Sequence, residues 1–150
     1  MRRALAVLCP VIAVSACGGE PEQLMGPAHI AVDDAITTPL TDTPGEAERG
    51  RRVFVEREAG HCVLCHVVDA LDAPFQGDVG PALSDVGARL TAGQIRLRVV
   101  DAARLNPDTV MPPYHRVTGL TQVARGDEGR PILSSQEIED VVAYLAALKG

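Results

Sequence analysis

Aromatic side chains are scarce in this chain. Tryptophan is absent, there are two tyrosines and two phenylalanines, and together the aromatics are 3% of the residues. A core with so few rings either stays small or takes in another large apolar body, and a bound cofactor is one such body. Positive charge is also short: 14 Lys and Arg stand against 20 Asp and Glu, for a formal charge of −6. Nucleic-acid binding needs a basic face, so that class is excluded. An acidic chain instead fits a basic protein partner or plain solubility. No apolar run reaches the roughly 20 residues of a membrane span. There is no internal repeat and no low-complexity tract. What remains is ordinary globular composition, 46% hydrophobic and 23% charged over 150 residues, which predicts one domain.

The N-terminus reads as an address. Arg2 and Arg3 precede an apolar run of 11 residues from Ala4 to Val14, and the small residues Ser15 and Ala16 close it. That is the pattern of an export signal over residues 1–16, which places the mature chain beyond the cytoplasmic membrane, in the periplasm. Val14-Ser15-Ala16-Cys17 also matches a bacterial lipobox, in which Cys17 carries a lipid anchor. Ordinary cleavage after Ala16 is the alternative. Gly18-Gly19-Glu20-Pro21 opens a tether and lead-in over residues 17–42, and the folded domain is expected over 43–150.

Once Cys9 leaves with the signal and Cys17 is terminal, the body holds Cys62 and Cys65. They stand in Cys62-Val63-Leu64-Cys65-His66, a CxxCH motif, the attachment signature of haem c. Two thiols three positions apart can add to the two vinyl groups on one porphyrin edge, and His66 reaches the iron from the proximal face. Covalent attachment keeps the group from being lost in an open compartment. A redox CxxC would need a preceding strand, but the residues before Cys62 read as helix. A zinc site would need four ligands, and His29, His61 and His115 are scattered.

The sixth iron position has five candidates: Met111, His115, Met25, His29 and His61. His61 abuts Cys62 and cannot easily reach the opposite face. Met25 and His29 fall in the lead-in. Met111 sits in Asn106-Pro107-Asp108-Thr109-Val110-Met111-Pro112-Pro113-Tyr114, where three prolines stiffen the loop. A stiff loop holds a soft thioether on iron at small entropic cost, so Met111 is the expected ligand. Methionine with histidine raises the potential above that of two histidines.

The remaining pattern predicts helices. Thr43-Pro44-Gly45-Glu46 reads as a capped start for a helix running to about Ala59, with Gly50 and Phe54 on one face. Gly80-Pro81-Ala82-Leu83 turns into a short helical piece. Thr91 and Gln94 box the next helix, with Ile95, Val99 and Ala102 on its apolar face and Asn106-Pro107 ending it. Ser134 and Glu137 box the last, whose stripe is Ile138, Val141, Val142, Leu145 and Leu148. Residues 116–133 suggest a small hairpin or an irregular loop. Arg89, Arg96, Arg98 and Arg104 read as a solvated basic face, with haem propionates or a partner as the alternative. His115 reads as a loop histidine, and Asp33 and Asp34 as solvent-facing.

This order resembles a class I cytochrome c, an all-α fold whose N- and C-terminal helices cross beside a covalently bound haem. More narrowly, several stretches resemble SoxX, the small monohaem cytochrome family of the sulfur-oxidation (Sox) system. They are Val32-Asp33-Asp34-Ala35-Ile36, Pro39-Leu40-Thr41, Gly60 to His66, Phe75-Gln76-Gly77-Asp78-Val79-Gly80-Pro81-Ala82-Leu83, Val99-Val100-Asp101, Met111-Pro112-Pro113-Tyr114, and Ile132 to Leu145. Together they span about residues 30–150. His61 departs from the pattern, standing where a small polar residue is expected, and the lipobox is not a family requirement. The resemblance implies Cys62 and Cys65 as thioether anchors for one haem c and His66 and Met111 as axial ligands. It implies a SoxA-type haem subunit as partner, a SoxYZ-type carrier whose cysteine is oxidatively coupled to thiosulfate, and a downstream cytochrome as electron acceptor. The reactive haem of that complex belongs to SoxA, so this chain would be the electron-transfer subunit of an L-cysteine S-thiosulfotransferase. It would not be catalytic alone, and no acid or base is nominated. The alternative is a free-standing periplasmic shuttle cytochrome.

Overall fold

The computed structural model describes residues 34–150, and the expected signal over residues 1–16, the lipid anchor Cys17, Met25, His29 and Asp33 lie outside them. Among the described residues four α-helices carry the fold: α1 (Ala47–Val55), α2 (Val86–Arg89), α3 (Ala92–Asp101) and α4 (Ser135–Ala147). Short 3-10 turns at Cys62–Leu64 and Ala102–Arg104 complete the regular structure. No strand forms among the described residues, so the all-α class holds and residues 116–133 are irregular loop. No described helix is long and apolar enough to cross a membrane.

The two expected capping boxes are present. Thr91 and Ser134 accept from the amides of Gln94 and Glu137, whose side chains return the bond to the cap backbone. Ile95 and Val99 are buried on α3, Ala102 in the 3-10 turn that follows it, and Ile138, Val141, Val142 and Leu145 on α4. α1 differs from the sequence expectation at both ends. Glu46 is its N-cap, in extended conformation, and Thr43 and Pro44 lie before the helix. The cause is tertiary: the Glu46 amide donates to Asp140 Oδ1 at 2.8 Å, which holds the residue out of the helix. At the far end the chain turns extended at Glu56, and the amides of Gly60 and His61 come back to the Val53 and Glu56 carbonyls.

α1 and α4 cross in backbone contact. A Cβ on Gly50 would collide with the Asp140 carbonyl and reach the Tyr144 Cβ, so only glycine permits this approach. Phe54, one turn on, meets Tyr144 edge-to-face with ring centroids 5.5 Å apart. Charge reinforces the crossing. Asp140 is almost fully buried and accepts Arg49 Nε and Nη2, both at 2.8 Å, and Gln136 Nε2 at 3.0 Å.

Arg96 corrects the solvated-face expectation. It is 5% exposed and forks onto Glu139, Nε to Oε1 at 2.7 Å and Nη2 to Oε2 at 2.8 Å, while its Nη1 donates to the Ile36 carbonyl at 2.7 Å. Glu139 Oε1 also accepts the Leu40 amide at 2.9 Å. One ion pair therefore joins α3, α4 and the lead-in, whose Ile36 is buried at 1% exposure. Arg89 and Arg98 stay at the surface, pairing with Asp85 and Asp34, and Gln94 also donates to Asp34, so Asp34 is engaged rather than merely solvated.

Two outcomes follow from these charges. Arg96→Met strands a buried carboxylate, and its expected cost is about 3–5 kcal/mol in urea denaturation. For Asp140, burial alone would raise the carboxyl, but hydrogen bonds from Arg49, the Glu46 amide and Gln136 outweigh it and hold the group below the usual carboxylate range. Stability from such a group is complete above the unfolded value, about 4, and is lost as pH falls through the lower native value. Asp140→Asn should therefore lower stability at neutral pH and flatten the stability–pH curve below about pH 4.

Candidate haem site

Cys62, Val63 and Leu64 form a 3-10 turn, and the amides of Cys65 and His66 both donate to the Cys62 carbonyl, at 3.1 and 3.0 Å. This winds the two thiols and the imidazole into one compact turn. His61 enters it in left-handed conformation (φ 45°), which histidine tolerates better than most residues, and its carbonyl accepts the Leu64 amide. The thiols of Cys62 and Cys65 are not joined to each other. Burial pushes the Cys62 thiol up to about 12, against the opposing effect of the adjacent Tyr114 hydroxyl.

The His66 ring is held by the chain that returns past it. Its Nδ1 donates to the Pro81 carbonyl at 2.8 Å. A histidine that gives its Nδ1 proton to a carbonyl keeps the Nε2 lone pair for a metal, with ring orientation set. Gly80 packs so closely on the imidazole that a Cβ there would strike the ring at Cε1, Nδ1 and Nε2. The Gly80 amide donates to the Cys65 carbonyl at 2.8 Å and the Leu83 amide to Val67 at 2.8 Å. The Gly-Pro of the sequence motif thus serves as a cradle for the ring.

Met111 lies in the loop before Tyr114, part-buried against the core cluster that Cys62 also abuts. Its amide donates to Thr109 Oγ1 at 3.2 Å. Sequence reasoning missed the residue that ties this loop to the turn. Tyr114 is buried, and its hydroxyl donates to the Gly60 carbonyl at 2.8 Å, two residues before Cys62. Its backbone is fixed as well: the amides of Tyr114 and His115 take the α3 carbonyls of Val99 and Val100, and the Tyr114 carbonyl accepts Leu133. The Met-Pro-Pro-Tyr string carried the signal, since a buried tyrosine needs a partner for its hydroxyl. His115 Nδ1 is engaged by the Leu133 carbonyl at 2.9 Å, so this side chain braces the loop.

These residues fit a covalently held porphyrin. Two separate thiols and an imidazole with a free Nε2 share one turn, and a soft thioether stands in a braced loop on the same core. The cytochrome c family model matches residues 47–149. The chain belongs to the cytochrome c family. One covalently bound haem c is accordingly its cofactor. Among solved structures, SoxXA from P. pantotrophus matches with 37% sequence identity and a TM-score of 0.75, over 81% of this chain and 94% of that one. The chain is thus a SoxX-type monohaem cytochrome c, as its motifs led one to expect. The c-type cytochrome SorU from Sinorhizobium meliloti matches at 28% identity and a TM-score of 0.45, over 69% of this chain and 91% of that one. No curated protein matches the chain. Electron transfer is the family's role and this chain's.

Gly80→Ala tests the cradle. The added methyl has no room unless the imidazole moves. The expected result is a changed ferric EPR spectrum and reduced haem retention, with the α-helical circular dichroism kept.

Proposed function

We propose that the chain is the electron-accepting subunit of a SoxAX-type complex, which oxidatively couples thiosulfate to a cysteine on a SoxYZ-type carrier. The observation that carries this reading is the 37% identity to SoxXA, spread over 94% of that chain. In the coupling, a carrier thiol and thiosulfate form a sulfur–sulfur bond and release one proton and two electrons. A bound haem would supply a one-electron ferric/ferrous couple, so the two electrons would leave through this chain one at a time, each passed on before the next. This chain's residues do the holding: Cys62 and Cys65 as thioethers, His66 through Nε2 and Met111 through sulfur. Pro81 and Gly80 orient His66, and Tyr114 keeps the Met111 loop closed against the turn. The bond-forming centre belongs to the SoxA-type partner, and a downstream cytochrome takes the electrons away. The leader over residues 1–16 supports a periplasmic site, and Cys17 supports a lipid anchor there.

Met111→Ala should remove the Met–Fe(III) charge-transfer band and lower the reduction potential; survival of both would reassign the ligand. For the assembly, the tagged protein is purified from thiosulfate-grown cells, and the eluate is stained for haem and read by mass spectrometry. A stoichiometric second haem protein with its own CxxCH is expected. A lone monohaem protein, with the partner expressed but absent from the eluate, would make this chain a free-standing shuttle.

A further inference from the structure

The segment that returns from the haem turn carries a side chain the fold does not use. Phe75 is 97% exposed, while the chain's other phenylalanine, Phe54, is buried at 1%. Its backbone is left-handed, with φ 61°, a conformation a bulky residue adopts only when its surroundings impose it. Those surroundings are well fixed. Pro74 precedes it. The next side chain, Gln76, accepts the Val68 amide at 2.8 Å and donates to the Leu71 carbonyl at 3.1 Å. The Gly77 amide donates to the Val63 carbonyl at 2.8 Å, inside the CxxCH turn itself. The backbone that presents the ring is therefore fixed, two residues from the amide that bonds the haem turn. Leu64 in the haem turn and Val79 on the same segment are also exposed, at 60% and 68%. The charge along this segment has one sign. Residues 59–88 contain no lysine or arginine, and Asp69, Asp72 and Asp78 are all exposed there.

The geometry points to a docking knob: Phe75, on the acidic segment that carries Asp69, Asp72 and Asp78, seats in a basic-rimmed apolar pocket of the SoxA-type haem subunit, beside the haem turn. The inference rests on the reading of this chain as a SoxAX-type subunit and names the surface through which it assembles. An exposed aromatic on fixed backbone loses little entropy on burial and is the residue class that anchors stable interfaces. An acidic segment without internal cations fits a partner of opposite charge and speeds the encounter at low salt. The closeness to the CxxCH turn puts the contact where an electron enters this chain.

The test uses holoprotein and the cognate SoxA-type subunit. Phe75→Asn removes the ring but suits the left-handed backbone, so the variant keeps its fold. Its visible spectrum, Met–Fe(III) band and melting temperature are expected to match wild type, while the Kd for the partner rises about 30-fold or more. The Asp72→Lys, Asp78→Lys double variant should associate more slowly and lose most of the salt dependence of its on-rate. An unchanged Kd for Phe75→Asn overturns the docking site. So does a shifted haem spectrum, which would assign the ring to the haem pocket. So does intact SoxA-type binding with loss of electron transfer to a downstream cytochrome. If wild type itself fails to bind the SoxA-type subunit, the subunit reading falls and the docking site with it; binding by wild type with an unaffected variant removes the docking site alone.

Discussion

Where α1 crosses α4, no side chain separates the two backbones. Gly50 lies on the Asp140 carbonyl, and everything nearby is arranged around that contact. Asp140 takes Arg49 and the Glu46 amide from one helix while sitting on the other, so the crossing has a fixed register as well as a short distance. Glu139, its neighbour, faces the other way and holds Arg96 of α3 and the lead-in through Leu40. Two consecutive carboxylates on α4 thus bind its neighbours from two sides. In a chain with four aromatic residues, directed charge does positioning that a larger core would do by shape.

The haem turn inherits its position from this frame. α1 ends at Val55, and the next residues fold back on its last carbonyls before entering Cys62. α3 ends by giving two carbonyls to Tyr114 and His115, which sets the loop that carries Met111. The two sides of the proposed iron site are therefore extensions of two helices, and Tyr114 joins them through the Gly60 carbonyl. Ligands mounted this way need little reorganisation when the charge on iron changes, which suits an electron carrier.

Local features could be read from the sequence, and contacts between distant segments could not. CxxCH, the two capping boxes, the α4 stripe and the Gly-Pro before Ala82 are complete within a few residues, and each lies where expected. The start of α1 was misplaced because the bond that sets it comes from Asp140, 94 positions away. Arg96 looked like surface because its partner Glu139 is 43 positions off. Tyr114 was quoted as part of a motif, but its hydroxyl partner lies 54 positions back, and nothing near it shows the pairing. Phe75 likewise sat inside a recognised string, and its exposure emerges only from the fold.

The bonds that join α4 to α1, α3 and the lead-in are of long sequence range, and they have an order in time. α4 is the last helix, while the haem turn follows directly after the first. Cys62 abuts a core cluster to which Ile138, Val141 and Val142 contribute. Until the C-terminal segment docks, that cluster is incomplete around Cys62. Closing a loop of this length is entropically slow compared with forming a local turn. The packing around Cys62 is therefore complete only after the last helix has docked, so the most local motif in the chain depends for its burial on the most distant segment.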